Sequence, residues 1–183
     1  MSQFRPVITA LALLSASPAA LAIDGVSFEY GDSDSSNSSV NLYRVGAQWD
    51  WNRKLLEAGN WHLGGYWEAN LGYWDNRGNG RIASELFDIG LTPVFRFQQN
   101  SIIGLAPYAE LGIGVHFLSR TSVSTQRQFG SSFQFGDHLG AGVRFGDRGR
   151  YDIGYRYQHM SNGGIKQPNQ GISFHQLRLQ YHF

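Results

Sequence analysis

The sequence predicts an all-β fold: an eight-stranded antiparallel transmembrane β-barrel with its apolar face outward. Three observations predict it. Beyond residue 24 the hydrophobic period is two rather than 3.6, the signature of strands with two unlike faces. The composition is rich in Gly (23 of 183 residues) and in aromatics (14%), yet only 16% of residues are charged. The polar faces of the alternating segments carry Arg44, Glu68, Asp88, Arg96, Glu110, His116, His138, Arg144, Arg156 and Arg178, with glycines between them. Charges of both signs packed with Gly read as a closed polar interior. Large continuous aromatic faces in water would be an aggregation hazard, so they read as facing lipid.

Several classes fall away on composition. With no Cys there is no disulfide framework, Cys-based zinc site or Cys nucleophile. A net charge of +1 lacks the basic excess of a nucleic-acid binder. A mean hydropathy of −0.32 excludes a bundle of transmembrane helices. No metal-ligand spacing joins His159, His175 and His182, and no cofactor motif is present.

Residues 1–22 read as a signal peptide. Arg5 supplies the basic start, Val7 to Ala16 the apolar stretch and Ala20-Leu21-Ala22 the small-residue cleavage site. Residues 23–183 form a single barrel domain. Its eight strands are expected over about 24–31, 40–51, 61–74, 82–98, 106–119, 132–146, 150–161 and 171–183. In the third, Trp61, Leu63, Gly65, Trp67, Ala69, Leu71 and Tyr73 alternate with His62, Gly64, Tyr66, Glu68, Asn70, Gly72 and Trp74. The fifth sets Ala109, Leu111, Ile113, Val115 and Phe117 against Tyr108, Glu110, Gly112, Gly114 and His116. The last sets Leu177, Leu179, Tyr181 and Phe183 against Gln176, Arg178, Gln180 and His182. A terminal Phe closing an aromatic strand resembles the C-terminal signature of bacterial outer-membrane barrels. Turn-rich connections separate the strands, and residues 52–59 could hold a helical turn. Eight strands enclose a lumen that side chains fill, so a channel is not expected. Both termini then lie in the periplasm, and residue 161 lies at the outer rim.

At that rim His159 and Ser161 are two apart on one strand and share a face. They continue the outward row of Ile153, Tyr155 and Tyr157. An imidazole and a hydroxyl there form a candidate base and nucleophile aimed into the leaflet. On spacing alone they also read as a polar interfacial rim.

His159-x-Ser161-Asn162, followed by Lys166-Gln167-Pro168-Asn169 and Gly171, resembles the signature of the outer-membrane lipid A 3-O-deacylases, the PagL family. The likeness extends through Gln48-Trp49-Asp50-Trp51, Gly65-Tyr66-Trp67, Pro93-Val94-Phe95, 109–115, and Gly130-Ser131-Ser132 followed by Gly140-Ala141-Gly142. The resemblance implies hydrolysis of the ester-linked acyl chain at the 3-position of lipid A in the bacterial outer membrane, with no cofactor. Ser161 is implied as nucleophile, His159 as base, Asn162 as oxyanion donor, and Asn169 and Gly171 as loop-shaping residues. The implied partners are lipid A (lipopolysaccharide) and the membrane; a homodimer is compatible with them. A catalytically degenerate relative and a non-enzymatic small barrel are the alternatives. Arg77, Arg81, Arg120, Arg127 and Lys166 lie in or beside the outer connections, as lipid A phosphate ligands or as ordinary solvated charge.

The chain departs from the family pattern at one position. The acid expected twelve residues after the serine is Ser173, which can accept a hydrogen bond but brings no charge. A tight turn near Asp147-Arg148-Gly149 pairs strands six and seven so that Asp137 faces His159. Asp137 is therefore a candidate substitute acid, or else a rim carboxylate.

Overall fold

A computed structural model describes residues 22–33 and 39–183. Most of the expected leader (1–21) and residues 34–38 of the first connection lie outside the described residues. Eight long strands close into an antiparallel barrel: β1 (Gly25–Ser33), β2 (Val40–Asp50), β4 (Trp61–Asn76), β5 (Glu85–Gln99), β6 (Ala106–Leu118), β9 (Phe133–Phe145), β10 (Tyr151–Ser161) and β11 (Ile172–His182). Each strand pairs with its neighbour in the chain, and β11 returns to β1, so no edge is left open.

Three short strands decorate this ring. β3 (Leu56–Ala58) pairs with the start of β4. It stands where residues 52–59 could have held a helical turn: Leu56 pairs with Leu63, and Leu55 N–H donates to the Leu63 carbonyl at 2.7 Å. β7 (Ser122–Ser124) and β8 (Arg127–Gln128) form a small hairpin in the connection between β6 and β9. The tight turn between β9 and β10, Asp147–Gly149, bends through left-handed backbone at Arg148 (φ +57°) and Gly149 (φ +66°). It gives the expected register, in which His159 opposes Asp137.

The strands tilt strongly. A path along the hydrogen-bonding direction from Val26, near the terminal end, passes Ala47, Ala69, Leu91, Val115 and Phe135, then ends at Ser161, the last residue of β10. That climb is the shear that closes an eight-stranded barrel.

The outward rows are apolar as expected. Leu71, Ile89, Ile113, Leu139, Leu177 and Leu179 are all exposed. Two aromatic belts bracket them. At the loop end Tyr30, Tyr43, Tyr73 and Phe87 lie in ring contact at 5.3–6.4 Å, and Phe117, Phe133 and Phe135 continue the belt. At the terminal end Phe145, Tyr151, Tyr181 and Phe183 do the same at 5.5–5.7 Å. Amphipathic rings at both edges of an apolar band are the mark of a membrane-spanning barrel.

The lumen is in two parts. Its lower and middle section is a buried ion network. Arg156 reaches Glu29 and Glu68 at 2.8 Å and Glu110 at 2.6 Å. Arg96 joins Glu110 at 2.7 Å and Asp152 at 2.9 Å, Arg178 bonds Glu29 and Glu68, and Arg44 links Glu29 to Asp88. Above it, Val40, Leu42, Trp74, Leu86, Leu118, Val123, Phe129, Met160, Ile172 and Phe174 form an apolar plug. The interior is therefore not polar throughout, because inward positions near the loop end are apolar. Trp74 ties the two parts together by donating its indole N–H to Asp88 at 2.9 Å.

Candidate active site

The end of β10 puts Met160 into the plug and leaves His159 and Ser161 on the outward row, both half-buried. Ser161 opposes Phe135 and so stands at the loop-end aromatic belt. On the other side His159 opposes Ser173 of β11. His159 Nδ1 lies 2.9 Å from Ser173 Oγ. With the hydroxyl oxygen accepting from Nδ1–H, Nε2 becomes the basic nitrogen. The ring edge carrying Nε2 lies over Gly171, where an added Cβ would come within 2.9 Å of Cε1 and 3.1 Å of Nε2. Gly171 also sits at φ +60°, so Gly suits this position on two counts.

The connection 162–171 is folded around Asn162, which is fully buried. Its side-chain N–H donates to the Lys166 carbonyl at 2.6 Å, and its side-chain oxygen accepts from Gly164 N–H at 3.0 Å. Its backbone N–H donates to Asn169 Oδ1 at 3.0 Å. The Asn162 side chain thus turns inward and holds the loop. The backbone N–H close to the hydroxyl is that of Gly163, 3.4 Å from Ser161 Oγ. By accepting from Asn162 N–H, Asn169 Oδ1 ties the two ends of the loop together.

A strap missed at the sequence level secures this loop from outside. Arg127 donates to the Gly171 carbonyl, and Gln128 N–H donates to Gln170 Oε1 at 2.6 Å. Phe129 bridges to Asn169 and buries its ring beside Trp74. Gly130 approaches so closely that a Cβ would fall 2.4 Å from the Lys166 carbonyl oxygen. The alternation gave no signal for this contact, because it joins two connections rather than two strands.

The remaining candidates separate by position. Asp137 is exposed and opposes His159 on β9, but the ring hydrogen-bonds to Ser173 and not to Asp137. Arg77 pairs with Asp75 at 2.7 Å. No hydrogen bond joins Ser161 to His159: the ring bonds to Ser173, and Ser161 Oγ accepts from Gly163 N–H. Among the described residues no group of His, Asp and Glu is placed to hold a metal ion.

Fold and site together define a membrane-spanning β-barrel carrying a histidine and a serine on the lipid-facing rim of one strand end. The family model for lipid A 3-O-deacylase (PagL) matches residues 41–182. Lipid A deacylase PagL of Pseudomonas aeruginosa is 35% identical over 179 residues, 97% of this chain and 96% of the relative. Its namesake in Bordetella bronchiseptica is 36% identical over 160 residues, 87% and 83% of the two chains. The chain belongs to the lipid A 3-O-deacylase (PagL) family. The crystal structure of the outer membrane enzyme PagL superposes with a TM-score of 0.74 at 32% identity, covering 87% of this chain and 99% of that one. Neisserial surface protein A shares the fold, with a TM-score of 0.50 at 14% identity over 87% of this chain and 95% of that one.

Proposed function

We propose that this chain is an outer-membrane esterase that removes the acyl chain ester-linked at the 3-position of lipid A. The long connections, including 162–171, face outward from the cell, and residues 1–22 direct export. The Ser161–His159 pair then stands level with the sugar-proximal esters of the outer leaflet.

Ser161 Oγ attacks the ester carbonyl while His159 Nε2 takes its proton. The bond from Oγ to the acyl carbon forms, and negative charge gathers on the carbonyl oxygen. Gly163 N–H is the donor placed to meet that charge. The carbon–oxygen bond to the sugar breaks, and His159 returns the proton to the departing sugar hydroxyl. Water, deprotonated by the same nitrogen, releases the fatty acid and restores Ser161. Ser173 keeps the imidazole in the tautomer that the first step needs.

The observation that carries this reading is the 2.9 Å contact between His159 Nδ1 and Ser173 Oγ on the lipid-facing rim, one turn of the alternation from Ser161. The test is incubation of the purified barrel with lipopolysaccharide in detergent, followed by mass spectrometry of lipid A. Loss of one ester-linked chain, abolished in Ser161→Ala and His159→Ala, supports the proposal. Product formation by Ser161→Ala at the wild-type rate refutes it. The hydroxyl in place of a carboxylate at Nδ1 favours a second reading, a family barrel without turnover. An inert wild type that gains activity as Ser173→Glu would establish that reading.

A further inference from the structure

A second imidazole stands on the lipid-facing surface beside the site. His175 is exposed on the outward row of β11, two residues from Ser173, and opposes Tyr157 of β10. Tyr155 Oη lies 2.5 Å from His175 Nδ1, and the Tyr157 ring covers the imidazole at 5.1 Å between centroids. A phenol is the better donor of this pair, so Tyr155 O–H points to Nδ1 and leaves Nε2 as an N–H donor. The register partner on the far side, Asp32 of β1, makes no bond to this ring.

The tilt of the strands fixes the height of this group. At roughly 40°, one step from β10 to β11 climbs about 3 Å, and two residues along a strand span about 5 Å of height. His175 therefore lies within about 2 Å of the height of His159 and a diagonal strand step of about 7–8 Å away. A hydrogen-bond donor on a lipid-facing row is costly unless something polar meets it. At this height the leaflet offers the carbonyl groups that join acyl chains to the sugar.

We propose that His175 is a substrate-positioning residue. Its Nε2–H donates to the carbonyl oxygen of the acyl linkage on the ring carbon next to the ester cut at Ser161, and Tyr155 holds the ring for that contact. Neighbouring ring carbons project their acyl linkages side by side, as adjacent strands project His159 and His175. The proposal rests on the esterase reading above and deepens it, naming a multiply acylated sugar as the preferred substrate.

The experiment compares two detergent-dispersed substrates: a glucosamine carrying acyl chains at both the 2- and 3-positions, and one carrying the 3-ester alone. In His175→Phe, which keeps a ring against Tyr157, and in Tyr155→Phe, KM for the doubly acylated sugar should rise about threefold to tenfold relative to KM for the single ester, the range of one neutral hydrogen bond. The kcat should stay near the wild-type value, and His175→Gln, which restores an N–H donor, should recover part of the ratio. An unchanged KM ratio in both variants overturns the proposal, as does an equal loss on both substrates. The same ratio measured as equilibrium binding to the Ser161→Ala chain reads the contact without turnover, so failure of the esterase reading and failure of this one give different results.

Discussion

Replacing Ser173 with Ala removes the one protein hydrogen bond on His159 while leaving β10 and β11 paired. The contact is 2.9 Å, and its acceptor is a neutral hydroxyl. In the transition state the ring is an imidazolium, and a hydrogen bond involving an ionised group contributes about 1.5–3 kcal/mol. At 1.36 kcal/mol per factor of ten, kcat should fall about 10- to 100-fold with KM little changed. That is well short of the roughly 10⁴-fold effect of neutralising the acid in a serine protease triad, because no charge is lost here. The assay is the initial rate of acyl-chain release from lipopolysaccharide in detergent, with substrate varied to separate kcat from KM. Wild-type kcat in Ser173→Ala would refute the idea that Ser173 orients the base. The companion variant is Ser173→Glu. Because Oγ is already in hydrogen-bonding range, an Asp carboxylate would overreach, whereas the extra methylene of Glu lets the group swing alongside the ring. A carboxylate beside an imidazole favours its protonated form. A carboxylate there stabilises the imidazolium of the transition state by charge, so kcat should rise above the wild-type value.

Other outcomes follow from the same geometry. Asp137→Asn should change the rate less than about threefold, since the His159 ring bonds to Ser173 and Asp137 contributes only through a screened field; a large loss would return the orienting role to Asp137. Gly171→Ala places a methyl group 2.9 Å from the His159 ring at a left-handed backbone position, a conformational cost of about 1–2 kcal/mol. Activity should drop more than about tenfold by the displacement of the base, with the barrel still folded by its gel mobility before and after heating. Arg156→Leu strips the shared partner from Glu29, Glu68 and Glu110. Unfolding in urea should show a loss of about 3–5 kcal/mol, the cost of uncompensated buried charge.

Much of this architecture was legible in the residues because strand alternation and a tight turn are local facts. The period of two fixed which side chains face lipid, and the turn at 147–149 fixed the pairing of His159 with Asp137. What stayed hidden depends on closure. Arg156 meets Glu29, and Arg178 meets Glu29 and Glu68, only because the sheet curls until β11 meets β1. The apolar plug left a trace: Val40, Leu42, Ile172 and Phe174 occupy inward positions that a polar lumen would fill with polar side chains. The inward turn of Asn162 left none, since residues past a strand end escape the alternation, and its place is set by Lys166, Gly164 and Asn169.

These two layers set the lumen apart from the outward row that carries the proposed Ser161–His159 site. In the lumen the guanidinium groups of Arg44, Arg96, Arg156 and Arg178 are matched to five carboxylates. In a low-dielectric enclosure such mutual pairing holds each group in place through its partners, which suits rigidity. The His159 ring stands on the outer face of the wall, where it bonds to Ser173 and to no member of that network among the described residues. At the rim, His159 has a single neutral partner on one nitrogen and none on the other. It is therefore the imidazole of this strand end that can accept a proton without dismantling a network. The strap from Arg127 to Gly130 supplies the rigidity that the lumen charges supply lower down. It fixes Gly171 beneath the ring through contacts made above the membrane-facing surface, leaving the side from which a lipid arrives uncovered. A hydrolase whose substrate is part of the surrounding leaflet needs this division, with stability built inside and at the loops and reactivity placed on the outward row between them.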